Sequence, residues 1–228
     1  MTGLLYVVAT PIGNLEDISA RAIKVLSQVN RIAAEDTRHS SRLLQHLGIN
    51  TPLVAVHDHN EAGRVQSLIE QLVAGENMAL ISDAGTPLIS DPGYRLVAAA
   101  HQANIQVVPV VGACAAIAAL SAAGLPSDRF SFEGFLAAKT SQRQTQLKAL
   151  ANESRTLIFY EAPHRILECV QDMAAIFGAD RRVVLARELT KTFETIKQCT
   201  LAELCVFVES DTNQQRGEIV LVVDEIGR

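Results

Sequence analysis

Apolar residues alternate along this chain between short unbroken runs and longer stretches with helical spacing. Leu4 to Ala9 is an unbroken run closed by the loop Thr10-Pro11-Ile12-Gly13-Asn14, which predicts a strand and its end. Ser19 to Val29 carries Ala22, Ile23, Val25, Leu26 and Val29 on one helical face. Arg31 to Ala34 predicts a strand, followed by Glu35-Asp36-Thr37 and a helix that runs through Leu47 and stops at Gly48. Leu53 to Val56 predicts another strand, leading into the polar cluster His57-Asp58-His59-Asn60-Glu61. A helix from Ala62 to Val73, a strand from Met78 to Ile81, a helix from Tyr94 to Ala103 and a strand from Ile105 to Val110 follow. Strands alternating with helices over short links predict a mostly parallel sheet covered on both faces.

An Ala-rich helix opens at Val111-Gly112-Ala113-Cys114-Ala115 and closes at Gly124-Leu125-Pro126, after which the texture changes. Phe130 to Phe135 is aromatic-rich, Lys139 to Leu150 is a polar helix, and Arg155 to Tyr160 predicts a strong strand. Pro163 sits in the first turn of a helix running to Phe177, where its missing N–H is harmless. Arg182 to Glu188 and Phe193 to Gln198 predict an antiparallel pair, then come a helix over Leu201 to Glu209 and a last strand over Gly217 to Asp224. The change of texture divides the chain into an N-terminal α/β domain, residues 1–125, and a C-terminal α/β domain with a mixed sheet, residues 126–228.

The stretch Ala79 to Gly93 has the most to say about chemistry. A strand ending in a loop with Gly85 and Pro87, followed by a helix, is where an open α/β sheet places its ligand. Asp83 offers acceptors for hydroxyls or an amine, against the simpler reading of a helix cap, and the Asp91-Pro92-Gly93 turn starts the next helix. The chain has no GxGxxG, no Walker loop, no HExxH and no GxSxG, so these glycines suit a ligand without a polyphosphate. A net charge of −5 argues against general nucleic-acid binding but leaves room for a local basic face. Cys114, Cys169, Cys199 and Cys205 form no CxxC pair and read as buried free thiols, and His57 with His59 is too sparse for a metal site. No apolar run approaches membrane-spanning length and no signal segment opens the chain, which predicts a soluble, cytoplasmic protein.

Six stretches occur in one order: TPIGNLEDIS (Thr10 to Ser19), AEDTRHSSRLL (Ala34 to Leu44), HDHNE (His57 to Glu61), SDAGTPLISDPG (Ser82 to Gly93), FYEAPHR (Phe159 to Arg165) and ARELTKTFE (Ala186 to Glu194). Together they closely resemble the ribosomal RNA small-subunit methyltransferase I family, among the tetrapyrrole-methylase-like, class III S-adenosylmethionine-dependent enzymes. The resemblance implies a two-domain α/β fold with S-adenosyl-L-methionine in a cleft between the domains, and a homodimer. It also implies methylation of a cytidine ribose 2′-hydroxyl in the decoding region of small-subunit ribosomal RNA. Carried over by position, it assigns Pro11, Ser82, Asp83, Ala84, Thr86, Ile89, Cys114, Ala115, Tyr160, Glu161, Leu189 and Gly217 to the cofactor, with Tyr160 and Glu161 at the adenine. Where relatives carry Ser or Thr this chain has Cys114, so contact there is expected through the backbone.

A ribose hydroxyl needs its proton drawn away, and Glu35, Asp36, His39, His57, Glu61 and Glu188 stand in polar islands beside strand ends. Asp36 is equally suited to cap the following helix. Arg38, His39 and Arg42 share one helix face that suits phosphates or plain solvation, whereas Lys139, Arg143 and Lys148 read as a solvated face, with RNA contact as the alternative. His57 and Arg165 complete the expected RNA contacts. His164 and Arg165 lie at a helix start, where positive charge is unfavourable, so a ligand or an acid partner is expected there, Glu161 being one candidate. A methyltransferase for a tetrapyrrole or another small acceptor, and a silent cofactor-binding protein, are the alternatives.

Overall fold

The computed structural model describes residues 2–56 and 61–226, without the side chains of Glu61 and Ala62. His57 and the three residues after it, an expected RNA contact and base candidate among them, therefore lie outside the described residues, as does the Glu61 side chain. The chain forms two compact units, Met1–Cys114 and Ala115–Arg228. No described helix is long and apolar enough to cross a membrane.

In the first unit, β1 (Leu5–Val8), β2 (Arg31–Ala34), β3 (Leu53–Ala55), β4 (Met78–Ile81) and β5 (Val107–Val110) form one parallel sheet in the order β3-β2-β4-β1-β5. Helices α1 (Ala20–Gln28) and α2 (Thr37–His46) cover one face, packing Ala22, Leu26 and Leu44 on Val8, Ile32 and Ile81. Helices α3 (Glu61–Val73) and α4 (Tyr94–Gln102) cover the other, packing Leu68, Leu72 and Leu96 on Leu5, Ala33 and Leu80. Alternate residues of β4 thus enter different cores, which is why its sequence is unbroken apolar.

Helix α4, which follows β4, lies on the opposite face from α1 and α2, which follow its neighbours β1 and β2. The carboxyl end of β4 is therefore the topological switch point, the place where open α/β sheets hold ligands.

The second unit begins with α5 (Ala115–Ala123) and continues through β6 (Phe130–Phe135), α6 (Thr140–Leu150), β7 (Thr156–Glu161) and α7 (Ile166–Phe177). It ends with β8 (Arg182–Arg187), β9 (Thr195–Thr200), α8 (Leu201–Ser210) and β10 (Ile219–Val223). The sheet is mixed, in the order β6-β7-β10-β8-β9, with β10 antiparallel to both β7 and β8. Helices α6, α7 and α8 contribute Leu147, Val170, Met173 and Leu204 to a core with Leu157, Phe159, Leu185 and Leu221. Helix α5 packs on β7, β8, β9 and β10, and so groups with this unit although sequence texture divides the chain after residue 125.

Two expectations change here. Arg143 is not on a solvated face: its side chain is 1% exposed and its Nε donates to Asp172 Oδ2 at 2.6 Å. Among the cysteines only Cys169 is fully buried, the other three being half-buried, and all four are free.

Candidate functional site

Because every strand of the first sheet is parallel, the loops after β1, β2, β4 and β5 share its carboxyl edge. Three of them are tied to the loop on β4. Thr10 N–H donates to Gly85 O at 2.9 Å and Gly85 N–H returns a bond to Thr10 O at 3.1 Å. Asp36 N–H donates to Asp83 Oδ1 at 3.2 Å, and the Thr86 hydroxyl donates to Ala113 O at 2.9 Å. Pro11 and Ser82 are buried beneath this surface, Asp83 and Thr86 are half-buried, and Ala84 and Ile89 are exposed on it. Cys114 ends the unit half-buried after β5. Pro11, Ser82, Asp83, Ala84, Thr86, Ile89 and Cys114 thus stand on loops that the fold brings to one edge.

The four described acid–base candidates differ in their surroundings. Asp36 is the N-cap of α2: its Oδ1 accepts from Arg38 N–H at 2.8 Å, and the Arg38 guanidinium grips both carboxyl oxygens. Hydrogen bonds from the Arg38 side chain and backbone hold the Asp36 carboxyl down to about 2, which makes it a weak base. Glu188 lies in the other unit, in left-handed backbone at φ 53°. Burial disfavours its charge, but Lys191 Nζ at 2.9 Å and Glu218 N–H at 2.9 Å outweigh that and hold its carboxyl below the usual range. Glu35, half-buried, and His39, exposed on α2, stand at the carboxyl edge of the first sheet.

Arg38 and Arg42 are exposed on α2, the Arg38 side chain to 89% although it grips Asp36. Among the described residues no group of three His, Cys, Asp or Glu side chains is placed to hold a metal ion.

In the second unit, β6, β7 and β8 run parallel to one another, so Phe135, Tyr160, Leu189 and the glycine before β10, Gly217, gather at one sheet edge. Tyr160 accepts from Ala116 N–H at 3.2 Å, just inside α5 beside Ala115, and its ring meets Phe132 and Phe135 edge-on at 4.9 and 5.6 Å. Glu161, the next residue on the strand, belongs to the opposite face. Its side chain is 1% exposed, and Oε1 accepts from Ala162 N–H and from Arg165 Nη2, both at 2.7 Å. The acid partner expected for Arg165 is therefore Glu161, and that pairing withdraws both side chains from a shared surface with Tyr160. Leu189 is buried, and Gly217 at φ 80° leaves no room for a Cβ because the Glu188 carboxyl fills it.

Asp91 is more than the turn former its Asp-Pro-Gly setting suggests. Its Oδ2 is shut off from solvent without a hydrogen-bond partner. Burial first, then the Asp83 carboxylate, push its pKa up, with the Ser82 hydroxyl acting against them. A second acid eight positions after Asp83 was the available signal, but its burial depends on a loop path that includes left-handed Leu88 and Ser90.

The sequence pattern of the tetrapyrrole (corrin/porphyrin) methylases matches residues 4–205. Ribosomal RNA small subunit methyltransferase I of Pseudomonas aeruginosa is 64% identical over 97% of this chain and 78% of its own length. The protein of the same name from Escherichia coli O157:H7 is 58% identical over 97% of this chain and 78% of its own. Among solved structures, uroporphyrin-III-C-methyltransferase from Thermus thermophilus superposes with a TM-score of 0.67 at 21% identity, covering 97% of this chain and 94% of that one. Diphthine synthase superposes with a TM-score of 0.72 at 15% identity, covering 97% and 90%. These two likenesses speak to the fold.

Proposed function

The chain belongs to the tetrapyrrole (corrin/porphyrin) methylase family, and from that premise we propose that it methylates small-subunit ribosomal RNA, at the 2′-hydroxyl of a cytidine ribose in the decoding region. What carries the reading is the identity of 64% over nearly the whole chain with a relative named for that substrate. The proposed donor is S-adenosyl-L-methionine, which supplies an electrophilic methyl group on a positively charged sulfur. The loop Ser82 to Gly93 suits such a cation: it carries two carboxylates, no basic side chain and a buried acceptor, Asp91 Oδ2, without a partner.

In this reading Pro11, Ser82, Asp83, Ala84, Thr86 and Ile89 form the wall that holds the donor, with Cys114 and Ala115 contributing backbone. Tyr160, Leu189 and Gly217 serve the adenine part, and Glu161 with Arg165 braces the start of α7 beneath Tyr160. Positioning an acceptor oxygen in line with a methyl group supplies much of the barrier reduction in such a transfer. Of the described candidates Glu35 or His39 takes the hydroxyl proton, since Asp36 and Glu188 are held as weak bases by their cationic partners, and His57 and Glu61 are the other two candidates. Arg38 and Arg42 meet phosphates. The active form is a cytoplasmic homodimer.

The test is label transfer from methyl-labelled donor to small ribosomal subunits, with the modified nucleotide mapped. Label in an alkali-resistant cytidine linkage is expected. Label that enters a tetrapyrrole precursor and not ribosomal RNA, or donor binding without any transfer, overturns the reading.

A further inference from the structure

Two phenylalanines stand open to solvent at the edge of the second sheet where Tyr160, Leu189 and Gly217 gather. Phe135, the last residue of β6, is 54% exposed, and Phe193, in the loop from β8 to β9, is 75% exposed. Neither sits on slack chain. The Phe135 ring is propped edge-on by Tyr160 at 5.6 Å. The Phe193 carbonyl accepts from Nη2 of Arg187, a buried side chain, at 3.0 Å, and Thr190 N–H closes the same loop on Glu194 Oε2 at 2.7 Å. Glu188 at φ 53° and Thr190 at φ 66° lie in left-handed backbone that side-chain-bearing residues avoid, and strain of this kind gathers at functional sites. The fold therefore holds both rings out in fixed positions, with apolar surface that only a partner molecule covers.

Charge selects the partner. The carboxylates beside Phe193 are engaged: Glu188 and Glu218 share Lys191 Nζ at 2.9 and 3.0 Å, and Glu194 takes the Thr190 N–H. Lys139, after β6, and Arg216, before β10, are exposed at the same edge and form no ion pair among the described residues. Rings flanked by free cations, on a protein of net charge −5, fit a strand of bases and phosphates, because stacking on a ring supplies affinity that the overall charge does not. β6 and β8 lie three strand spacings apart, about 14 Å, too far for one base to touch both rings. A duplex keeps its base faces covered, so only unpaired nucleotides can use such rings. We infer that Phe135 and Phe193 each stack on an unpaired base of the RNA substrate. This rests on the reading that the chain acts on ribosomal RNA, and adds that it recognises the RNA as an unpaired strand and by which surface.

Steady-state methylation of small ribosomal subunits by wild-type, Phe193→Ala, Phe193→Leu and Phe193→Trp protein tests the assignment, with donor affinity by calorimetry and elution volume in gel filtration measured beside it. Phe193→Ala and Phe193→Leu are both expected to raise KM for the subunits by about 5- to 150-fold, the loss of one base-on-ring stack, with kcat unchanged. Phe193→Trp keeps the wild-type KM, and Phe135→Leu raises KM as Phe193→Leu does. Donor affinity and elution volume of the three Phe193 variants are expected to match wild type, which also reports that they are folded. A wild-type KM in Phe193→Leu makes the ring a plain apolar contact and overturns the assignment. A changed elution volume makes this face an interface between copies of the chain and overturns it as well, and an unchanged KM in Phe135→Leu overturns it for that ring. Wild-type protein that transfers no label to small subunits overturns the underlying reading and this one with it.

Discussion

Gly85 stands where two loops are laced together, in a left-handed conformation that strains any other residue. Its φ is +82°, and a Cβ there would stand 3.2 Å from Ile12 Cγ2. Since the same residue exchanges two backbone bonds with Thr10, any relaxation would pull the β4 loop from the β1 loop. Gly85→Ala is expected to cost about 1–2 kcal/mol of stability from left-handed strain, measured by urea denaturation, and to weaken donor binding in calorimetry. If both quantities are unchanged, the lacing does not position the loop. Asp36 carries a related lesson. Its place before a helix suggested either a base or a cap, and the cap is what the geometry provides. Holding Arg38 in that role costs it basicity, and the search for a base narrows to its neighbours.

At the scale of elements, the N-terminal unit was legible almost throughout, because a parallel sheet buried on both faces writes its strands as unbroken apolar runs between helical periods. Arg31 to Ala34 and Met78 to Ile81 have the predicted limits for this reason. Arg165 was partly legible, since a cation at a helix start calls for an acid or a ligand, and Glu161 ends the strand four residues before it. Arg143 was not. Helix α6 is mostly polar in sequence, with Leu147 and Leu150 as its core contacts, and the partner that buries the guanidinium, Asp172, lies on the next helix and also accepts from Gln144 Nε2 at 2.8 Å. No periodicity links two such positions, nor does any place β10 between β7 and β8. Asp172→Ala is expected to destabilise the protein by about 3–5 kcal/mol because it strands the more deeply buried charge of the pair, whereas Arg143→Met leaves the Asp172 carboxylate 12% exposed and still bonded by Gln144 and should cost less. Urea midpoints of both variants check the order, and a smaller loss for Asp172→Ala would show that the pair is not the support of α6 on α7.

The whole molecule carries a net charge of −5, yet its proposed substrate is a polyanion. General electrostatic attraction is thus absent, and phosphate contact must come from a local face, for which α2 offers Arg38, Arg42 and two histidines. Arg38 is partly neutralised by Asp36, so few phosphates shed counterions on binding. Each contact contributes about −0.7 to −0.9 to the slope of log K against log salt, and two or three contacts give a slope of about −1.4 to −2.7. Long-range repulsion between the acidic protein and RNA, which salt screens, flattens it further. Binding to small subunits measured across salt concentrations should therefore show a shallow slope, with Arg42→Ala lowering its magnitude by about one unit and Arg38→Ala by less. A steep slope that survives both substitutions would place the RNA-binding face elsewhere than α2, and would require a basic surface that this chain's overall charge does not lead one to expect.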